Sequence, residues 1–139
     1  MLVVMAVVAL VFAVSFPSVR HGGDRQRTAA AAMEIASLLR RGQSLSLKES
    51  RAVDVSYDRE NRLWRIESGG ISYSVDKSLS VATTSARQLS VDDLVRFRFF
   101  PDGGSSGGEV VIKSNGSVSR INLNWLTGDI TVSHGGDGL

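Results

Sequence analysis

Gly103-Gly104-Ser105-Ser106-Gly107-Gly108-Glu109 is the stretch of this chain that most invites a chemical reading. Gly103 and Gly108 have the G-x-x-x-x-G separation of a phosphate-binding loop. Such a loop continues with a Lys that reaches the phosphates, and then with a helix. Here the next residue is Glu109, whose charge repels phosphate, and Val110-Val111-Ile112 reads as a strand. Nucleotide binding is therefore rejected in favour of a glycine-permitted turn between two strands. Arg96-Phe97-Arg98-Phe99-Phe100 has the types of a basic, aromatic surface that would hold nucleic acid by phosphate contact and stacking. The same alternation is what any half-buried strand shows, with Phe97 and Phe99 in the core and Arg96 and Arg98 in solvent. The strand is the preferred reading. Asp92, Asp93, Asp102, Glu109 and Asp129 match the spacing of no calcium-ligand loop. Asn115-Gly116-Ser117 fits a glycosylation sequon but is read as turn chemistry alone.

Bulk composition narrows the chemistry further. The 139 residues include no Cys, which removes disulfides, thiolate metal sites and a Cys nucleophile, and only two His, His21 and His134. A His-based metal site or a Ser-His-Asp triad has little to build with. Sixteen basic against fourteen acidic residues leave a net charge of +2, too weak a bias to imply nucleic acid. The expectation is a non-enzyme with no cofactor, no metal and no small-molecule substrate. Fourteen Gly against two Pro suggest many tight turns.

The elements that would position these residues begin with an oily run. Met1 to Phe16 reads MLVVMAVVALVFAVSF, with Ser15 its only polar side chain, and no charge appears before Arg20. Three readings compete. A signal peptide would want a positive region ahead of the apolar run, and none is present. A core helix apolar on every side would need a larger domain to enclose it. A membrane stalk is favoured, although the run spans only roughly 24 Å at 1.5 Å per residue, against about 20 residues for a full crossing. Its candidate residues are Leu2, Val3, Val4, Val7, Val8, Leu10, Val11, Phe12, Val14, Phe16 and Pro17. Pro17 either ends the helix or bends it between a membrane half and an aqueous half.

His21-Gly22-Gly23-Asp24 should weaken the helix. From Arg25 it resumes, with Ala29, Met33, Ala36 and Leu39 forming one apolar stripe and Leu45 and Leu47 completing it, until about Ser50. From Arg51 the period becomes two. Strands are expected at 52–57, 62–67 and 71–75 as an antiparallel meander, a short one near 79–83, and others at 95–100, 109–113, 117–124 and 129–132. Asn115-Gly116 is the strongest hairpin signal. Trp64 and Trp125 are expected in the core with their N–H groups satisfied by backbone. The tail from Ser133 should fray. The fold class is α+β: one long N-terminal helix, half membrane and half amphipathic, on an antiparallel, sandwich-like domain of about eight short strands. The expected divisions are 1–19 for a hydrophobic transmembrane and polymerisation helix, 20–50 for its amphipathic continuation and 51–139 for a β-rich domain.

Together, the stalk, the proline at its end, the Ala-rich extension and the β domain resemble type IV pilins and type II secretion pseudopilins. A more specific likeness lies in Phe99, Pro101, Gly103, Ser105, Gly107 and Gly108, followed by Trp125, Leu126, Thr127 and Gly128. These residues are similar to the F-x-P-x-G-x-S-x-G-G…W-L-T-G pattern of minor pseudopilin H and the related FimT pilins. The resemblance covers nearly the whole chain. It implies a structural subunit of a secretion pseudopilus, anchored by a single pass in the bacterial inner membrane with its head in the periplasm. Its implied partners are other minor and major pseudopilins and inner-membrane lipid, with methylation as a modification. The alternative is a FimT-like minor pilin that binds DNA, although Ser133 to Leu139 carries no Arg or Lys. The family's basic leader, cleavage site and following Glu have no counterpart before Met1. A downstream start or a trimmed chain is the simplest account. As written, the chain lacks both the peptidase site and the carboxylate thought to pair with a neighbour's N-terminus.

Overall fold

The computed structural model describes residues 1–14, 19–68, 70–85 and 91–136. Two helices, α1 (Leu2–Val14) and α2 (Val19–Glu49), precede eight strands: β1 (Val53–Asp58), β2 (Leu63–Ile66), β3 (Ser72–Ser74), β4 (Ser80–Thr84), β5 (Leu94–Phe99), β6 (Gly108–Ser114), β7 (Ser117–Leu123) and β8 (Ile130–Gly136). They form two antiparallel four-stranded sheets, ordered β3-β2-β1-β5 and β4-β6-β7-β8. The expected meander is the first three strands of one sheet, with Val55 opposite Ile66 and Trp64 opposite Tyr73. Asn115-Gly116 closes the β6–β7 hairpin with both residues at positive φ, 44° and 83°.

Helix α2 packs on strands of both sheets. Ala31, Ala32, Ile35, Leu38 and Leu39 enter one core cluster with Val55, Trp64 and Phe97 of one sheet and Val110, Ile112 and Ile121 of the other. Of the expected stripe, Ala36 and Leu39 are fully buried, but the rest of the buried face differs. Met33 and Leu47 are exposed, whereas Ala31, Ala32 and Ile35 are fully covered. A helix shared by two sheets buries a wider face than a single stripe, and that face takes in Ala31, Ala32 and Ile35 beside it. Gly42 gives the closest approach: a Cβ there would lie 2.5 Å from Val55 Cγ2.

Several further expectations are corrected. Helix α2 runs unbroken through Gly22-Gly23. Two glycines cost about 1 kcal/mol each against Ala, and contacts just beyond them offset that: the Asp24 carboxylate meets Asn115 Nδ2 at 3.1 Å and Ser114 Oγ at 3.4 Å. The Trp64 ring is buried as expected and stacks between Tyr57 and Phe97, at centroid distances of 4.7 and 5.8 Å. Its Nε1, however, has no hydrogen-bond partner among the described residues. Trp125 is not core at all but 67% exposed, since it sits in the β7–β8 turn. The chain from Ser133 to Gly136 does not fray; it pairs with Ser117–Arg120 of β7. Phe16 and Pro17, Gly69, part of the polar 76–90 stretch and residues 137–139 lie outside the described residues. Helix α1 has 13 residues, and among the described residues no helix is long and apolar enough to cross a membrane.

Two measurements follow from the packing. Gly42→Ala should destabilise the domain by about 1–3 kcal/mol in urea unfolding, because overpacking outweighs the helix-propensity gain of about 1 kcal/mol; adding Val55→Ala should recover part of that loss. Burial raises the Tyr57 phenol above its ordinary value. The folded phenol therefore holds its proton to higher pH than the unfolded one. The resulting stability is complete below about pH 10 and declines as pH rises through the folded value. Tyr57→Phe should accordingly keep a larger share of its pH 8 melting temperature at pH 11 than the parent chain.

Candidate functional site

The residues of the glycine-rich pattern converge at the C-terminal end of α2. The loop 100–107 and the turn 124–128 are laced together by backbone bonds. Ser105 N–H donates to Trp125 O at 2.9 Å, and Ser105 Oγ donates to Asn124 O at 2.8 Å. Asn124 organises the turn: its Oδ1 accepts from Leu126 N–H at 2.9 Å and Thr127 N–H at 3.2 Å, an Asx-type arrangement. The helix closes the assembly. Gln43 Nε2 donates to Gly128 O at 3.0 Å, and Ser46 Oγ reaches Phe100 O at 3.4 Å.

Gly128 is the wedge of this site. Its φ is 72°, and a Cβ would lie 2.3 Å from Gly103 O and 2.6 Å from Gln43 Nε2. Within the pattern Phe99 is buried, Ser105 is 5% exposed, and Pro101, Trp125, Leu126 and Thr127 face solvent. Gly103, Gly107 and Gly108 all take positive φ. The pattern thus builds a rigid double loop that ends in two exposed apolar side chains. Gln43 and Ser46 were missed in the sequence, and Asn124, which stands just before the W-L-T-G residues, was given no role. An Asn placed just before a W-L-T-G turn was a readable signal, whereas the two helix residues gave none, since polar side chains near a helix end are commonplace.

The stalk candidates Leu2, Val3, Val4, Val7, Val8, Leu10 and Val11 all lie on α1 with exposed side chains; Phe12 and Val14 belong to the same helix. The stalk and the double loop are not brought together. They lie at opposite ends of α2.

The basic-aromatic strand takes the packing role. Phe97 and Phe99 are fully buried. On the other face Arg98 makes a two-pronged pair with Asp54, at 2.7 and 2.9 Å, and Arg96 meets Glu67 at 3.0 Å. The hydrogen bonds to Asp54, and then its charge, raise the Arg98 guanidinium above its ordinary value. Cations engaged in this way are poorly placed to take phosphates. Among the described residues no group of three His, Asp or Glu could hold a metal. Ser119 Oγ lies 2.9 Å from His134 Nδ1, but Ser119 is fully buried.

A helix laid across two antiparallel sheets, with an apolar helix leading into it, defines a pilin-like fold. Solved structures agree. A minor pseudopilin of Vibrio cholerae, EpsH, superposes with a TM-score of 0.63 at 8% identity, covering 83% of this chain and 99% of that one. The type IV minor pilin FimU of Pseudomonas aeruginosa gives 0.60 at 16% identity, covering 78% and 90%. The particular family is set by residues 31–128, which match the type II transport protein GspH family, and the chain belongs to it. Type II secretion system protein H of Xanthomonas campestris pv. campestris is 29% identical over 131 residues, 94% of this chain and 77% of that protein.

Gly103→Ala and Gly128→Ala separate backbone strain from crowding. The Gly103 position has no atom within 4 Å of an added Cβ, so its substitution should cost about 1–2 kcal/mol of conformational strain. Gly128→Ala adds a backbone clash and should cost clearly more in thermal unfolding.

Proposed function

We propose that the chain is a minor pseudopilin of a type II secretion system, a structural subunit and not a catalyst. Residues 1–19 would be the membrane and polymerisation helix, 20–50 its amphipathic continuation and 51–139 the periplasmic head. The subunit would sit in the inner membrane by a single pass before joining other minor and major pseudopilins. The observation that carries this reading is α1. Every side chain from Met1 to Val11 is exposed, although all of them are apolar. An apolar rod this exposed is stable only in lipid or among other such rods. Helix α1 by itself is about 20 Å long at 1.5 Å per residue.

Leaving lipid for a bundle of neighbouring stalks exchanges one apolar surrounding for another. The transfer changes little burial energy, so packing and hydrogen bonds set the preference. Meanwhile the head stays in water, carried on α2. The likeness to a type IV minor pilin fits the same physical role in a pilus, but β8, ITVSHGG, carries no Arg or Lys to meet the phosphates of DNA.

Val8→Asp tests the reading. A charge at the centre of an apolar helix costs about 2.5–3.5 kcal/mol on insertion scales. The variant should disappear from isolated fibres while its head keeps the parent's melting temperature. Normal incorporation would contradict the polymerisation role.

A further inference from the structure

Beyond Met1 and α1, the described residues leave six large apolar side chains exposed: Met33, Leu47, Val91, Phe100, Trp125 and Leu126. Four of them stand at one end of the domain. Leu47 follows Ser46, whose hydroxyl reaches Phe100 O. Trp125 and Leu126 crown the β7–β8 turn, which Gln43 ties to the same helix end through Gly128 O. Trp125 is 67% and Leu126 65% exposed. Their backbone is nonetheless fixed. Trp125 O accepts from Ser105 N–H, and Leu126 N–H is held by Asn124 Oδ1. A projecting aromatic–aliphatic pair on an ordered loop loses little further freedom when covered. Such buried aromatic anchors dominate interface energies.

We propose that Trp125 and Leu126 are the anchor by which this head seats on the head of the neighbouring pilin-like subunit one step farther from the membrane. The assignment rests on the fibre-subunit reading above. Direction selects the occupant. The anchor lies at the C-terminal end of α2, about 28 Å along the helix from Asp24 at 1.5 Å per residue, and therefore on the side away from the stalk. Lipid lies at the opposite end. When stalks bundle side by side, the head stacked above is the surface this end meets. Its matching chemistry is an apolar cleft with a hydrogen-bond acceptor at the rim for the indole N–H.

The chain has no cysteine, so Thr127→Cys supplies the sole thiol of this sequence, beside the anchor and without removing it. The variant is expressed with its fibre subunits, and membrane-borne fibres are treated with a short thiol-to-amine cross-linker. The expected result is an adduct with a different pilin-like subunit, reduced at least tenfold when Trp125→Ala is added. Adducts only with lipid or with a second copy, no adduct, or a yield indifferent to Trp125→Ala would overturn the assignment. Should Trp125→Ala unfold in a thermal scan, the identity of the Thr127→Cys adduct alone decides. Val8→Asp distinguishes the two failures. If that variant still enters fibres, the fibre reading falls; if it is excluded while Thr127→Cys captures no subunit, the reading stands and the anchor does not.

Discussion

The burial of one helix face against two sheets at once is the contact on which the rest of the structure depends. Neither sheet has a helix of its own. Ala31, Ala32, Ile35 and Leu39 serve as a common wall for Val55 and Phe97 on one side and Ile112 and Ile121 on the other. Burial of this kind is worth about 25 cal/mol per Å² of apolar surface removed from water. Ala31 and Ala32 let the helix lie close to both sheets, while Ile35 and Leu39 fill the space between them. At Gly42 even a methyl group would collide with Val55. The helix is therefore structural cement first and a connector second.

That dual role links fold to function. Asp24 is tied to the β6–β7 hairpin at one end of the packed stretch, and Gln43 and Ser46 to the double loop at the other. Fixed at both ends, α2 holds the head at a set position along the helix and transmits that position toward α1. An assembly role needs this, because a head that swivelled on its helix could not present the same surface to each neighbour. The glycine-rich pattern, read from the sequence as a turn and not a phosphate loop, does shape a turn. Its glycines admit positive φ and close backbone approach, and the result is a rigid projection on the side away from the stalk.

Much of this architecture was legible in the sequence. Period-two alternation placed Phe97 and Phe99 inward, and Asn115-Gly116 marked its hairpin to the residue, because those signals are local. What was not legible depended on partners distant in the chain. The helix face was misjudged at Met33 and Leu47, since only the arrangement of two sheets reveals that the contact widens to take in Ala31, Ala32 and Ile35. Trp125 was assigned to the core by its type, but its position in a turn overrules that preference. The persistence of strand pairing through Ser133–Gly136 likewise comes from β7, whose register extends a weak sequence. At the double loop, Phe99 through Gly108 and Trp125 through Gly128 were identified as a pattern, yet the helix residues that clamp them were invisible.

Native-state hydrogen exchange tests the shared wall most directly. If one helix face holds both sheets, the amides of Ala32 to Leu39 should exchange only with those of β1 and β7, in a single opening whose free energy matches that of global unfolding. Release of the helix amides at a lower free energy, with both sheets still protected, would contradict it.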